Sequence, residues 1–334
     1  MFTPKISQAG WTRRMPALRQ LALSACLALA GAALPTVSHA EAPLQKVQAP
    51  GWYRMMLGAF EVTAINDGTV DLPVDKLLHA PQATIAQNLK KHYLVAPLET
   101  SVNAYLINTG SRLVLVDTGA GGLFGPTLGR LAAQIASAGY KPEQVDDILI
   151  THMHPDHVGG LSPEGKLAFP NATIHLDQAD RDFWMSKANM DAAPADKKGF
   201  FQGAQASLSA YETAGKLKTF NADGEVVPGI RSQATHGHTA GHAIYLVESQ
   251  GKRLALIGDL IHVASVQLES PQITIGFDSD EKQARAQRLK TFQQLAKEGS
   301  LVGAAHFPFP GLGRLRSTGK GFAWEAVNYS SQVK

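Results

Sequence analysis

Short apolar runs alternate with longer amphipathic stretches along most of the chain. Phe60-Glu-Val-Thr-Ala-Ile65 alternates like a strand, and Asn66-Asp-Gly68 has the composition of a hairpin turn. Pro73 to Pro97 has weak periodicity and predicts an irregular arm or short helices. Ser101–Ile107 and Arg112–Val116 read as two strands joined through Asn108-Thr-Gly110. Pro126 to Ala138 then predicts a helix, with Leu128, Leu131, Ala132 and Ile135 on one face and Gly139 as its stop.

The alternation continues to the end. Val145–Ile150 is a short buried strand, and Ala172–Leu176 another, with His175 inside it in a structural role. Asp177 to Tyr211 is polar but carries Phe183, Trp184, Phe200 and Phe201, which suits helices anchored to a core or lining a cavity. Ala243–Val247 and Arg253–Ile257 are strands. Asp278-Ser-Asp-Glu281 can cap a helix reaching about Lys297, with Leu289, Phe292 and Ala296 as its buried stripe. Leu301–Ala305 is the last clear strand. Strands pair with helices in both halves, which predicts an α/β architecture of two facing sheets with helices outside.

Composition narrows this picture. Of 334 residues, 44% are hydrophobic and 18% charged, as in a soluble globular enzyme. Residues 1–40 read as a signal peptide, with Lys5, Arg13 and Arg14 at its start, an apolar run from Leu21 to Leu34, and Ser38-His39-Ala40 as a cleavage site. Export to the periplasm or beyond is expected, with cleavage after Ala40 and no stable membrane insertion. Residues 41–58 read as a linker or arm, and 59–334 as the catalytic domain. The leader carries four basic residues and no acid. Against 31 Lys and Arg and 28 Asp and Glu overall, its removal leaves a net charge of −1. No nucleic-acid partner is expected. The only cysteine, Cys26, leaves with the leader, so a thiolate ligand is excluded in the mature chain.

Against this background one stretch concentrates the chemistry: Thr151-His-Met-His-Pro-Asp-His-Val-Gly-Gly160. His152 and His154 are two apart in an extended segment, so they point the same way and can grip one ion. Pro155 argues against a helix through the cluster and predicts a turn that aims Asp156 and His157 at a second ion. Imidazole and carboxylate together suit zinc and similar divalent metals. A solvated histidine-rich loop is the plain alternative, which the preceding strand and following Gly-Gly disfavour.

The run resembles the His-x-His-x-Asp-His signature of the metallo-β-lactamase superfamily. The resemblance implies an αββα sandwich and a fixed order of further ligands, which His238 in Gly237-His-Thr239, Asp259 and His306 can supply. It assigns His152, His154 and His238 to one ion, Asp156, His157 and His306 to another, and Asp259 to both. Asp117, in Asp117-Thr-Gly119, would support the ligands from behind. The implied cofactors are two divalent ions per chain, best met by Zn²⁺. They would hold a nucleophilic hydroxide whose proton Asp156 can accept. His236 and His242 flank a ligand and read as supporting or turn residues, while His79 and His92 have no assignable role.

Beyond the ligands, Leu123 to Ala132, Thr151 to Leu161, Phe124, Trp184 and Phe200 resemble the methyl parathion hydrolase group over nearly the whole mature chain. That resemblance implies an exported homodimer that hydrolyses organophosphate triesters, lactones or aryl esters, with Phe124, Trp184 and Phe200 walling the pocket mouth. Leu77, His262, Ile275 and Phe277 depart from the group's pattern and predict a narrower pocket with an added polar group. A small hydrophobic lactone or aryl ester should suit it better than a phosphotriester. Competing classes are a β-lactamase, disfavoured because the mouth lacks an obvious cation, a nuclease, and a non-catalytic zinc-binding protein.

Overall fold

The computed structural model describes residues 42–333. The expected signal peptide, its cleavage point and Cys26 lie outside the described residues. Residues 42–50 carry no regular structure. The second half of the expected arm is not a linker. Trp52–Leu57 forms strand β1, paired antiparallel with β2.

Strand β2 runs unbroken over Phe60–Leu72, so the turn expected at Asn66-Asp-Gly68 is absent. A bulge occupies this point instead, and buried Asp67 accepts hydrogen bonds from the backbone N–H of Ala120, Gly129 and Leu131. Turn chemistry is used here to hold a neighbouring loop. Those bonds also shorten the helix expected from Pro126, which begins at Leu131.

Two short helices follow, α1 (Val74–Leu77) and α2 (Gln82–Lys91), where an arm or short helices were expected. The first sheet then takes β3 (Leu98–Asn108), β4 (Leu113–Val116), β5 (Asp147–Leu149), β6 (Thr173–Asp177) and β7 (Leu217–Phe220) in chain order. Helix α3 (Leu131–Ser137) lies between β4 and β5 in sequence, and the one-turn α4 (Pro155–Val158) follows β5. Between β6 and β7 come α5 (Gln178–Trp184), α6 (Lys187–Ala192) and α7 (Lys198–Thr213).

The second sheet is β8 (Gly224–Val227), β9 (Ile230–Ala234), β10 (Ala243–Ser249), β11 (Lys252–Leu256), β12 (Leu301–Gly303), β13 (Leu312–Ser317) and β14 (Phe322–Ala326). The last two strands, like β1, β7 and β8, escaped the pattern reading. Helices α8 (Ala264–Gln267) and α9 (Glu281–Glu298) connect β11 to β12. Both sheets are mixed: β4 to β7 and the β11–β12 pair run parallel, the rest antiparallel.

Strand alternation sets the layers. Val114 and Val116 face a core shared with Tyr245, Val247, Leu254 and Leu256 of the other sheet. Leu115 and Ile148 turn outward onto Ile135 of α3 and Phe201, Ala204 and Leu208 of α7. On the far side Ala255 and Val302 pack against Phe292 and Leu295 of α9. The result is the expected αββα sandwich. In α9 the buried stripe is Ala284, Arg288, Thr291, Phe292 and Leu295, so Leu289 and Ala296 only flank it. Asp280 caps this helix, accepting from Gln283 N–H, and Gly299 ends it with φ 63°. No helix among the described residues is long and apolar enough to cross a membrane.

Candidate metal centre

Every ligand expected from sequence sits just beyond a strand, at one edge of the sandwich. After β5 and a bend at Thr151, the chain is extended at His154 (φ −67°, ψ 147°), then turns into α4 with Pro155 at its first helical position. Proline suits that position, where its missing N–H costs nothing. The proline therefore starts a helical turn, and Asp156 and His157 ride on it. Gly159 and Gly160 follow because the chain presses on the 118–120 loop. A β-carbon at either would lie 2.1 Å from a carbonyl oxygen, of Ala120 or Thr118.

Asp117 organises this loop from the end of β4. Its φ is 60°, a conformation rare outside glycine and asparagine. Its carboxylate accepts from Thr151 N–H (2.8 Å), Thr151 Oγ (2.8 Å) and His157 Nδ1 (2.9 Å). With its proton given to Asp117, the Thr151 hydroxyl accepts from His152 Nδ1 at 3.1 Å. One carboxylate thus fixes the ring orientation of both His152 and His157, leaving their Nε2 atoms bare.

Three separate loops of the second sheet supply the remaining groups. His238 follows β9, and its Nδ1 meets Asp278 at 2.9 Å. Asp259 follows β11, with its backbone N–H donated to His242 Nε2 at 3.0 Å. Burial, with the charge of His238, drives His242 down to about 3, so it is the neutral acceptor this bond needs. His306 follows β12 and directs Nδ1 to Ser101 O at 3.0 Å.

The groups converge on Asp259. Oδ2 lies 3.5 Å from His152 Nε2, 3.3 Å from His238 Nε2 and 3.0 Å from His262 Nε2. Oδ1 lies 3.2 Å from His157 Nε2 and 3.1 Å from His306 Nε2. The donor atoms form three overlapping sets: His152, His154, His238 and Asp259; Asp156, His157 and His306; and Asp259, His262 and His306. Burial, then the neighbouring histidines, lowers the pKa of His152 and His154 and favours the neutral form that binds metal. Burial opposes a charge on His157 and His238, but the carboxylates outweigh it, and His238 rises to about 9. In the ion-free protein a proton would occupy the place a cation is built to take.

The residues fit divalent metal. His152 Nε2, His157 Nε2 and Asp259 Oδ1 are buried with no hydrogen-bond partner, a costly state unless a cation meets them. Asp156 is the more accessible carboxylate, with its side chain 21% exposed against 2% for Asp259.

A cavity of about 90 Å³ opens over these atoms, lined by Val70, Leu72, Phe124, Leu128, Phe200, His262 and Phe277 with the ligands. Phe124, Phe200, Phe277 and His262, expected at the pocket, thus line this cavity. Trp184 is not: it packs edge-on against His154, is buried, and lines an adjoining cavity. Leu77 and Ile275 do not line the metal-side cavity. They join a satellite core with Val74, Leu78 and Val263. His262 is buried as well as pocket-facing, stacked on His306 at 5.1 Å. The expectation of a mouth without a cation also fails, since Lys197 Nζ lies 5.6 Å from the Phe200 ring and 6.0 Å from that of Phe277.

Sequence reasoning missed several supports. Buried Asp180 accepts from Met153 N–H (2.6 Å) and Gly241 N–H (2.8 Å), tying the loop of His152 and His154 to that of His238. Asp278, read as part of a helix cap, holds His238. Arg288, 1% exposed on α9, donates to the carbonyls of Leu260, Pro271 and Ile273 and lies 3.7 Å from Asp278. No local pattern marks these residues, because each acts across the fold. His175 pairs with Asp147 at 2.8 Å, and His236 with Asp177 at 3.1 Å. His79 and His92 pair with surface acids, Glu281 and Glu269.

Comparison with known proteins agrees with this geometry. Residues 98–306 match the family model of the metallo-beta-lactamase superfamily. An N-acyl homoserine lactonase of Bacillus cereus is 27% identical over 228 residues, covering 63% of this chain and 82% of the relative. The crystal structure of AbOPH, a hydrolase in the beta lactamase superfamily, is 35% identical with a TM-score of 0.82, over 85% of this chain and 100% of that one. AidC, a dizinc quorum-quenching lactonase in complex with a homoserine product, is 28% identical with a TM-score of 0.78, over 84% of this chain and 99% of that one. With the ligands gathered at one sheet edge in the family's order, the chain belongs to the metallo-β-lactamase superfamily and is a metal-dependent hydrolase.

Proposed function

We propose that the protein is a binuclear zinc hydrolase of small hydrophobic lactones and aryl esters, related to the methyl parathion hydrolase group. Phosphotriester hydrolysis is then a side activity. The observation that carries this reading is the small aromatic cavity opening directly on the Asp259 cluster. A structural metal site is closed, whereas this one has room for a reacting group. The lactonases among its relatives support the choice of a cyclic ester.

Bound divalent ions would polarise the ester oxygen and lower the pKa of water. The chain's own residues do the rest. Asp117, Asp278 and Ser101 fix which nitrogen of His157, His238 and His306 is bare, and Thr151 does so for His152. Phe124, Phe200 and Phe277 bind the apolar body of the substrate and exclude bulk water. Asp156, the accessible carboxylate, accepts the proton released by the attacking water.

A lactone carbonyl is planar and fits a cavity of about 90 Å³ more readily than a tetrahedral triester with three arms. Specificity constants for dihydrocoumarin and methyl parathion test this. Dihydrocoumarin should be preferred, and His262→Leu should move the ratio towards the triester by about tenfold, the scale of a methylene-sized space. A wild type that prefers the triester makes phosphotriesterase the main activity. An unmoved ratio removes His262 as a specificity determinant.

Export and dimerisation complete the proposal. Export rests on the pattern of residues 1–40, and a mass for the secreted protein beginning at Glu41 would support it. A homodimer rests on the family resemblance, and sedimentation of the purified protein decides it.

A further inference from the structure

Beyond the Phe200–Phe277 pair lies a second cavity, of about 460 Å³, which also reaches His154. Its walls are mostly apolar, from Phe183, Trp184, Ala193, Pro194 and Phe201. Among its lining side chains are two donors with unused capacity, Lys197 and Trp184. Half-buried Lys197 has one hydrogen bond, to Gly276 O at 2.9 Å, and no acid within ion-pair distance among the described residues. Trp184 is 5% exposed, and its indole N–H has no acceptor. The one lining carboxylate, that of Asp278, has its side chain fully buried and engaged by His238 and Arg288.

The position of Lys197 is locally unfavourable. It is the N-cap of α7, offers no side-chain acceptor to the first turn, and no acid follows it there. N-caps favour Ser, Thr, Asp or Asn, and a cation at this end opposes the helix dipole. Such departures from local preference concentrate at functional sites. Here the lysine sits over two aromatic faces that also wall the metal-side cavity, and the same cavity is lined by Trp184, whose buried indole N–H lacks an acceptor. An anionic acceptor group on an apolar body complements all three features.

We propose that this cavity is a second substrate subsite, in which Lys197 binds a carboxylate carried on an apolar arm of the ester or lactone. This rests on the hydrolase reading and extends it to bifunctional substrates. The arm passes the Phe200–Phe277 pair while the scissile group stays over the Asp259 cluster.

The test uses the metal-loaded enzyme and two matched ester pairs. They are 4-nitrophenyl pentanoate with the 4-nitrophenyl monoester of glutaric acid, and phenyl acetate with 3-acetoxybenzoate. The proposal predicts that Lys197→Met lowers the acid-to-neutral ratio of kcat/KM about tenfold in at least one pair, the scale of a charge-assisted hydrogen bond. Activity on the neutral members should persist, and Lys197→Arg should retain most of the ratio. Unchanged ratios in both pairs overturn the subsite. Hydrolysis of none of the four esters speaks against the ester and lactone reading instead. The subsite is then decided by titrating 4-phenylbutanoate against its neutral amide, followed by tryptophan fluorescence. Tighter binding of the acid, weakened about tenfold by Lys197→Met, supports it, whereas equal binding of acid and amide overturns it.

Discussion

The two sheets furnish the metal centre in different ways. The first delivers four groups, His152, His154, Asp156 and His157, from one loop after β5. The second delivers His238, Asp259 and His306 singly, from three loops. Support differs accordingly. On the first side a single carboxylate, Asp117, orients two ligands at once. On the second side each ligand has its own partner: Asp278 for His238, His242 for Asp259, and Ser101 O for His306. A compact motif is thus held at one point, and a scattered one must be held at several. Damage to support should be shared by ligands on the first side and confined to one ligand on the second.

The sharpest break of this comparison is Asp117→Asn. It disturbs both His152 and His157, so metal affinity should fall by about 100-fold, the upper end for such supporting partners. Asp180→Ala attacks the join between the two sides. It leaves Met153 N–H and Gly241 N–H buried without an acceptor, which should cost about 2 kcal/mol or more in stability. Denaturant unfolding of metal-free protein measures it, and a loss confined to metal binding would contradict the structural link. Asp278→Asn touches His238 alone and should weaken metal binding by about tenfold. A larger loss for Asp278→Asn than for Asp117→Asn, by competition with a chelator, would reverse the comparison.

A smaller effect tests the frame that carries the first loop. Burial works against ionisation of Asp147, but hydrogen bonds from His175 and Arg112 outweigh it and hold the carboxyl below its ordinary value. A depressed folded pKa adds stability above the unfolded value, near ~3.9, and loses it as pH falls through the folded one. Asp147→Asn should therefore cost about 1 kcal/mol at neutral pH, with the gap closing as pH falls below the unfolded value. A constant gap across that range would mean the ion pair is not its source.

How legible each side was follows from the same contrast. Histidines two apart just after a buried strand declare themselves, so the first loop could be read from spacing and context. His238, Asp259 and His306 carry little local signal, and only their order in a resembling family singled them out. Their supports were less visible still, since Asp278 and Arg288 act between elements far apart in sequence. Asn66-Asp-Gly68 shows the opposite failure: a strong turn signal, spent on tethering the 118–131 loop while the strand runs on. Strands β13 and β14 were missed because their outward residues face solvent and leave short apolar runs. In the cavity lining, Phe124, Phe200 and Phe277 appear as expected, whereas Ile275 is core and Leu77 packs against it, because identity alone does not say which face of a loop is lined.

We propose that both sides act together, through Asp259, to hold two ions that hydrolysis requires. The most direct test is a stepwise zinc titration of metal-free protein, with bound metal and dihydrocoumarin hydrolysis measured at each addition. The account predicts two tightly bound ions per chain, full activity only with the second, and loss of both metal and activity in Asp259→Ala. Full activity at one ion per chain, or near-normal turnover by Asp259→Ala, would contradict it.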